Sequence, residues 1–433
     1  MNRPRHPKGL YVLFATEMWE RFGFYGMLSL FVLYLRNPVD GFGWSAEQAT
    51  GLYSNYYAFI YLSPLLGGWL ADKKLGHRRA VMIGGLFFML GYLLLGVHSL
   101  PMIYLALTLL VIGNGLFKPN VSTMVGNLYP EGSRLKDRAF LIFYMGINIG
   151  AFFGPVVMEF VKRTWGNRPA FTVLAFGMIF AVGILWRFRR LVEGTQPADP
   201  SSAASAVNSP ASAQAIDSIS DRKRILALIV IFLLVIVFWM VYFQNGSTLT
   251  YWADENTDWN VSGTISNAIN PFFVVLFTFP LIWFWKKLDA RGREPSTPTK
   301  MAIGMFLTAI SFLILWAAAK MGEATATTGN PYAFKVSPNW LVSAYAIVTL
   351  GELMLSPMGL SLVSKVAPQR MRGLMMGAWF VVLGIGGKLT MIGVLWTKWL
   401  HSEFFLLLAM MALGMSVLLF VLVRPLKRAM PGV

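Results

Sequence analysis

Apolar residues run in long blocks along this chain, separated by short polar segments. The blocks fall near 9–35, 47–71, 79–97, 102–128, 137–161, 169–188, 225–252, 262–286, 300–319, 340–366, 372–397 and 403–423. Each approaches or exceeds the ~20 residues that a helix needs to cross a bilayer. Most faces of each block are apolar, as expected for helices that pack in lipid and against one another. The pattern predicts an all-α membrane protein with 12 transmembrane helices. The first block is too long for a signal-peptide core and no small-residue cleavage site follows it, so it reads as a retained helix.

Composition agrees with this pattern. Hydrophobic residues make up 56% of the 433 and charged residues 13%, against roughly 25% charged in soluble domains. Mean hydropathy is +0.57. A string of soluble domains and a disordered chain are both excluded. There is no cysteine, which excludes disulfides, thiolate metal sites, iron–sulfur clusters and a thiol nucleophile. His6, His77, His98 and His401 lie outside the blocks or at their ends, so no metal and no cofactor is expected.

The net charge of +17 points at first to nucleic acid, but its distribution points elsewhere. With the N-terminus inside, 27 of the Lys and Arg fall in cytoplasmic segments, seven in external loops and three within spans. That bias of about four to one is the positive-inside pattern. It places both termini in the cytoplasm and leaves no nucleic-acid partner; membrane lipids are the expected surroundings. The tract 191–221 is rich in Ser, Ala and Pro and has no aromatic residue, as in a flexible linker. It divides the chain into a bundle at 1–190, a cytoplasmic linker at 191–222 and a second bundle at 223–433. Two six-helix bundles joined in this way are the plan of the major facilitator fold, whose substrate site lies near the bilayer midplane between the halves.

Six charged residues sit well inside spans: Glu17, Glu20, Arg21, Lys118, Glu352 and Lys388. Each costs about 3 kcal/mol or more on insertion scales, so a use is expected. At about 100° per residue, Glu17, Glu20, Arg21, Phe24, Tyr25 and Leu28 share one helical stripe about 140° wide. Two carboxylates beside one guanidinium cannot both be neutralised by it, which leaves one able to take up a proton. A proton-coupled carrier needs such a group. A static ion pair is the competing reading. At 1.5 Å per residue, Lys118 lies roughly 24 Å and Glu352 roughly 18 Å in from the outside, and Glu20 roughly 17 Å from the cytoplasm. All three are near the midplane or slightly to its cytoplasmic side. A Lys118–Glu352 pair would bridge the two halves, or clamp a zwitterion by its carboxylate and ammonium. Lys388, in the run GIGGKLT, lacks the spacing of a phosphate loop and reads as a packing or snorkelling lysine.

These residues stand in motifs that resemble one family. Glu17, Glu20, Arg21, Phe22, Tyr25 and Gly26 resemble the ExxERFxYYG motif of the proton-dependent oligopeptide transporters (POT/PTR2). Phe117-Lys118-Pro119-Asn120 is similar to their FKPN signature, and Phe143-Tyr144 with Asn148 to their FYxxIN segment. Gly351-Glu352 with Ser356-Pro357 and Gly359 is similar to their GELxLSPxGL. Gly68, Asp72, Gly76, Arg78 and Arg79 fit the loop common to facilitators between spans two and three. The resemblance implies a transporter and no enzyme. It implies a symporter in the plasma (inner) membrane that imports di- and tripeptides with protons, by alternating access. It assigns proton coupling to Glu17, Glu20 and Arg21. It assigns substrate contacts to Tyr25, Tyr61, Lys118, Asn148, Trp239, Asn270, Glu352, Trp379 and Phe380, with Lys118 and Glu352 also forming a cytoplasmic-side gate.

The chain departs from the family pattern in places. Leu28 stands where many members have arginine, and Phe243 where span seven usually has an acid. In the family those charges pair across an external gate; here an apolar gate of Leu28 and Phe243 is expected. Phe24 replaces the first tyrosine of the YY pair. These changes keep a second reading open: a relative that carries a modified peptide, a peptide-like drug or an organic anion, with altered gating.

Overall fold

The computed structural model describes residues 6–129, 134–192, 219–326, 330–368 and 371–430. Residues 193–218 of the expected linker therefore lie outside the described residues. In chain order the helices are α1 (Lys8–Arg36), α2 (Ala46–Leu70), α3 (His77–Leu95), α4 (Leu100–Asn127), α5 (Arg134–Trp165), α6 (Asn167–Arg187), α7 (Asp221–Tyr242), α8 (Thr248–Glu255), α9 (Ser266–Asp289), α10 (Thr297–Glu323), α11 (Pro338–Val366), α12 (Arg372–Leu389) and α13 (His401–Ala429). Among the described residues, ten helical stretches are long and apolar enough to cross a membrane. The chain is all-helical and multi-pass. α1, with three internal charges, and α2, with its tyrosines and glycines, are not among those ten.

Contacts gather the chain into two units, Met1–Gly43 with Phe59–Asn208, and Trp44–Ala58 with Ser209–Val433. The N-terminal half of α2 thus groups with the second unit.

In the first unit α1 packs chiefly on α5 and α6, and α3 on α4 and α6. Small residues set these approaches, because apolar surface alone gives no drive between helices in lipid. Gly146, Gly150 and Gly154 recur every fourth residue on α5. A Cβ on Gly150 would lie 2.2 Å from the Met18 carbonyl oxygen and 3.0 Å from the Arg21 Cβ, and one on Gly154 would lie 2.6 Å from the Phe22 oxygen. This ridge seats the charged turn of α1. α2 approaches α4 in the same way, where a Cβ on Gly67 would fall 1.9 Å from the Gly115 oxygen. Pro64 in α2 cannot donate to Ile60; the Asn114 amide on α4 donates to that carbonyl instead, at 2.7 Å.

Gly150→Leu is expected to lower the melting temperature of the purified protein and abolish uptake, since overpacking a fitted contact costs about 1–3 kcal/mol. Gly183→Ala, on α6 with nothing within 4 Å of its Cβ position, should leave both unchanged. Equal melting temperatures for the two variants would show that the α1–α5 approach is not constrained at Gly150.

In the second unit α10 packs against α11 and α13, α7 against α12 and α13, and α9 against α11. The apolar run 225–252 predicts one continuous helix, but the structure breaks it. α7 ends at Tyr242, a 3-10 turn covers Phe243–Gly246, and α8 starts after Ser247, whose φ is −130° and ψ −100°. The cause is tertiary. Gly246 lies so close to the Tyr53 hydroxyl that a Cβ would meet it at 2.2 Å. Side chains satisfy the carbonyls freed by the break, as lipid demands. The Tyr53 hydroxyl donates to the Phe243 oxygen at 3.3 Å, and Thr250 donates to the Asn245 oxygen at 2.8 Å. α12 also gives way to a 3-10 stretch, Thr390–Thr397. The Gln244 amide joins the two irregular segments, donating to the Thr390 oxygen at 3.2 Å while its own oxygen accepts from Thr248 at 2.8 Å.

Candidate functional site

The first unit holds a compact charge cluster. Glu17, Glu20 and Arg21 are 3%, 0% and 3% exposed. The Arg21 Nε lies 3.1 Å from the Glu17 Oε1, one turn away, and also donates to the Glu20 Oε2. The other oxygens, Glu17 Oε2 and Glu20 Oε1, are buried with no hydrogen-bond partner among the described residues, as is Arg21 Nη2. The guanidinium also lies over the Phe24 ring, 5.0 Å from its centre. Phe24 is thus a lid on the cluster, and Tyr25, half-buried, meets its edge at 5.2 Å. Lys118 on α4 is half-buried, with its ammonium 4.9 Å from the centre of the Tyr61 ring. α4 is in contact with α1, the helix that carries Glu17 and Glu20. Asn148, between Gly146 and Gly150 on the α5 ridge, folds its amide onto the Tyr144 oxygen at 2.9 Å. Leu28, two turns above Arg21, is 2% exposed.

In the second unit Asn270 is a hub. Its amide donates to the Glu352 Oε2 at 2.9 Å and to the Thr349 Oγ1 at 3.0 Å, while its oxygen accepts from the Tyr242 hydroxyl at 3.3 Å. Glu352 on α11 is therefore oriented by a neutral amide from α9. The Trp239 indole stacks on Phe243 at 5.1 Å, and its Nε1 is buried without a hydrogen-bond partner among the described residues. Trp379 is packed against the edge of Phe232 at 5.9 Å and over Gly359, where a Cβ would lie 1.9 Å from the ring. The last glycine of GELMLSPMGL thus makes room for an indole. Phe380, next on α12, is half-buried.

Phe243 is 3% exposed. Its ring lies 4.7 Å from Tyr57, 5.1 Å from Trp239 and 5.9 Å from Tyr242. Tyr53 and Tyr57, in the N-terminal half of α2, carried no signal in the sequence, because a tyrosine in an apolar run looks like any interfacial residue.

A family model described as PTR2, the POT family, matches residues 78–216 and 201–406. The chain is 31% identical to the uncharacterized transporter YclF of Bacillus subtilis (strain 168), over 99% of this chain and 96% of that one. It is 30% identical to a di-/tripeptide transporter of Lactococcus lactis subsp. lactis (strain IL1403), over 99% and 97%. The fold matches the crystal structure of a mutant peptide transporter POT in complex with alafosfalin, with a TM-score of 0.86 at 30% identity, over 99% of this chain and 96% of that one. With the model spanning most of the sequence and relatives aligned nearly end to end, the chain belongs to the POT family.

Proposed function

We propose that this protein is a proton-coupled symporter that imports di- and tripeptides by alternating access. The observation that carries the reading is Arg21 in contact with both Glu17 and Glu20 in a buried turn. The names of the aligned relatives support the substrate class. In this reading twelve spans form two six-helix bundles, 1–190 and 223–433, joined by a cytoplasmic linker at 191–222. The protein lies in the plasma (inner) membrane among lipids with both termini cytoplasmic, and performs transport, not catalysis. Glu17, Glu20 and Arg21 carry the proton. Lys118 receives the peptide carboxylate and Glu352 the ammonium, and both serve the cytoplasmic-side gate. Tyr25, Tyr61, Asn148, Trp239, Asn270, Trp379 and Phe380 complete the contacts. The test is accumulation of a labelled dipeptide in proteoliposomes under an imposed proton gradient. Accumulation that a protonophore does not diminish would remove proton coupling, and no dipeptide uptake at all would remove the substrate class.

Leu28 and Phe243 are proposed as apolar outer-gate residues. Phe243→Glu places a carboxylate among Tyr57, Trp239 and Tyr242, and should cut uptake roughly tenfold or more, because an unpaired buried charge is costly. Adding Leu28→Arg should restore part of that loss. Strict additivity in the double-mutant cycle would show that the two positions do not act together. A second reading, transport of another small solute, is favoured by these two positions together with Phe24. Competition of dipeptide uptake by a solute panel separates the two.

A further inference from the structure

Glu352 is held by an amide, and an amide can lie either way round. The Asn270 side chain carries an NH2 group on one side and an oxygen on the other, nearly equal in size, so packing alone does not choose between them. Two of its three partners leave the choice open as well. The Tyr242 hydroxyl can donate or accept, and the Glu352 carboxyl accepts when ionised and donates when protonated. Thr349 decides it. Its Oγ1 donates to the Tyr345 carbonyl oxygen, one turn back on α11, at 2.6 Å. A hydroxyl has one hydrogen, and with that hydrogen engaged the Oγ1 can only accept. Asn270 must then turn its NH2 group toward Thr349, which it meets at 3.0 Å. The second N–H falls to the Glu352 Oε2 at 2.9 Å, and the amide oxygen is left for Tyr242 at 3.3 Å.

We propose that Thr349 is a positioning residue for Glu352, and that its hydroxyl, by fixing the direction of the Asn270 amide, holds the carboxylate where it meets a peptide ammonium. This rests on the reading above, in which Glu352 receives that ammonium. Thr349 is 0% exposed, so it acts through Asn270 and touches no substrate. Thr349 and Glu352 stand three residues apart on one face of α11, and Asn270 on α9 spans them. All the groups of this chain of hydrogen bonds belong to the second unit. With the amide reversed, its oxygen would face the carboxylate, two acceptors with no hydrogen between them, and the carboxylate would be pushed out of place.

The test compares binding of Ala-Ala, N-acetyl-Ala-Ala and Ala-Ala amide to the purified native protein and to variants. Thr349→Val keeps the branched shape without the hydroxyl, and Thr349→Ser keeps the hydroxyl without the methyl. Thr349→Ala also lacks the hydroxyl and is carried in parallel, so that a valine variant that fails to fold does not decide the outcome. In Thr349→Val and Thr349→Ala the preference for Ala-Ala over its N-acetyl form should fall about tenfold, the scale of one hydrogen bond to a charged group. The preference for Ala-Ala over the amide should stay, because the ammonium is present in both. Thr349→Ser should remain within about twofold of the native protein. In Asn270→Ala the further change Thr349→Val should leave the preference where Asn270→Ala alone puts it. Serine as damaging as valine would mean that the methyl packs and the hydroxyl does nothing, and would overturn the proposal. So would a loss shared equally by all three peptides, an unchanged preference in Thr349→Val and Thr349→Ala, or full additivity with Asn270→Ala. If the native protein prefers free over acetylated dipeptide and the hydroxyl-free variants do too, this proposal alone fails. If the native protein shows no such preference, the role of Glu352 fails and this proposal with it.

Discussion

In Glu20→Gln and in Glu17→Gln, a dipeptide is expected to enter proteoliposomes down its own gradient but to reach no higher concentration inside than outside, whatever proton gradient is imposed. Counterflow exchange of labelled against unlabelled dipeptide should continue near the native rate. The geometry gives the reason. Arg21 touches both carboxylates, and each keeps one buried oxygen without a partner among the described residues. With Lys118 on α4, in contact with α1, two negative and two positive groups balance within the first unit. A peptide carboxylate arriving at Lys118 adds a negative charge in a low-dielectric setting, and a proton on one of the α1 acids restores the balance. In the proposed mechanism substrate and proton are then taken up together because each makes the other less costly. An amide at position 17 or 20 keeps the shape but carries no proton, so the link to the gradient is lost while the path for peptide remains. Native accumulation in both variants under a pH gradient would remove the α1 acids as the coupling group.

The helices were legible where burial is in lipid. The run 9–35 predicts α1, observed at Lys8–Arg36, and 340–366 predicts α11, observed at Pro338–Val366. The break after Tyr242 was not legible. Within 225–252 only Gln244, Asn245, Gly246, Ser247, Thr248 and Thr250 interrupt the apolar residues, and there is no proline. What stops the helix is the Tyr53 hydroxyl, nearly two hundred residues away in sequence.

The cluster on α1 was half legible. The Glu17–Arg21 contact follows from one-turn spacing. The Arg21–Glu20 contact does not, because adjacent residues point about 100° apart on a helix. It forms because a long guanidinium side chain bends back where Gly150 holds α5 close. The Asn270 hub depends on α9 packing on α11. The sequence marks Asn270 only as a polar residue before Pro271, and the resemblance supplied the rest. Lys388 read as a packing or snorkelling lysine because GIGGKLT lacks the spacing of a phosphate loop, and nothing in the sequence marks Asn55 as its partner.

Lys118→Ala is expected to weaken binding of a free dipeptide by about tenfold to a hundredfold, the range for losing a hydrogen bond to a charged group. A C-terminally amidated dipeptide should bind the native protein poorly and lose little more in Lys118→Ala, because it brings no carboxylate to the lysine. Glu352→Gln should do the converse, with free dipeptide weakened and an N-acetylated one already poor and nearly indifferent. Asn270→Ala separates contact from positioning. It removes the amide that orients Glu352 at 2.9 Å and that also holds Thr349 and Tyr242. Discrimination between free and N-acetylated dipeptides should therefore fall in Asn270→Ala, while discrimination between free and amidated ones stays. A structural defect from Asn270→Ala would lower both alike. If free, amidated and acetylated dipeptides bind the native protein equally, Lys118 and Glu352 do not hold the two ends of a zwitterion. Glu352, oriented by a neutral amide, would then serve as a titrating group of the second unit.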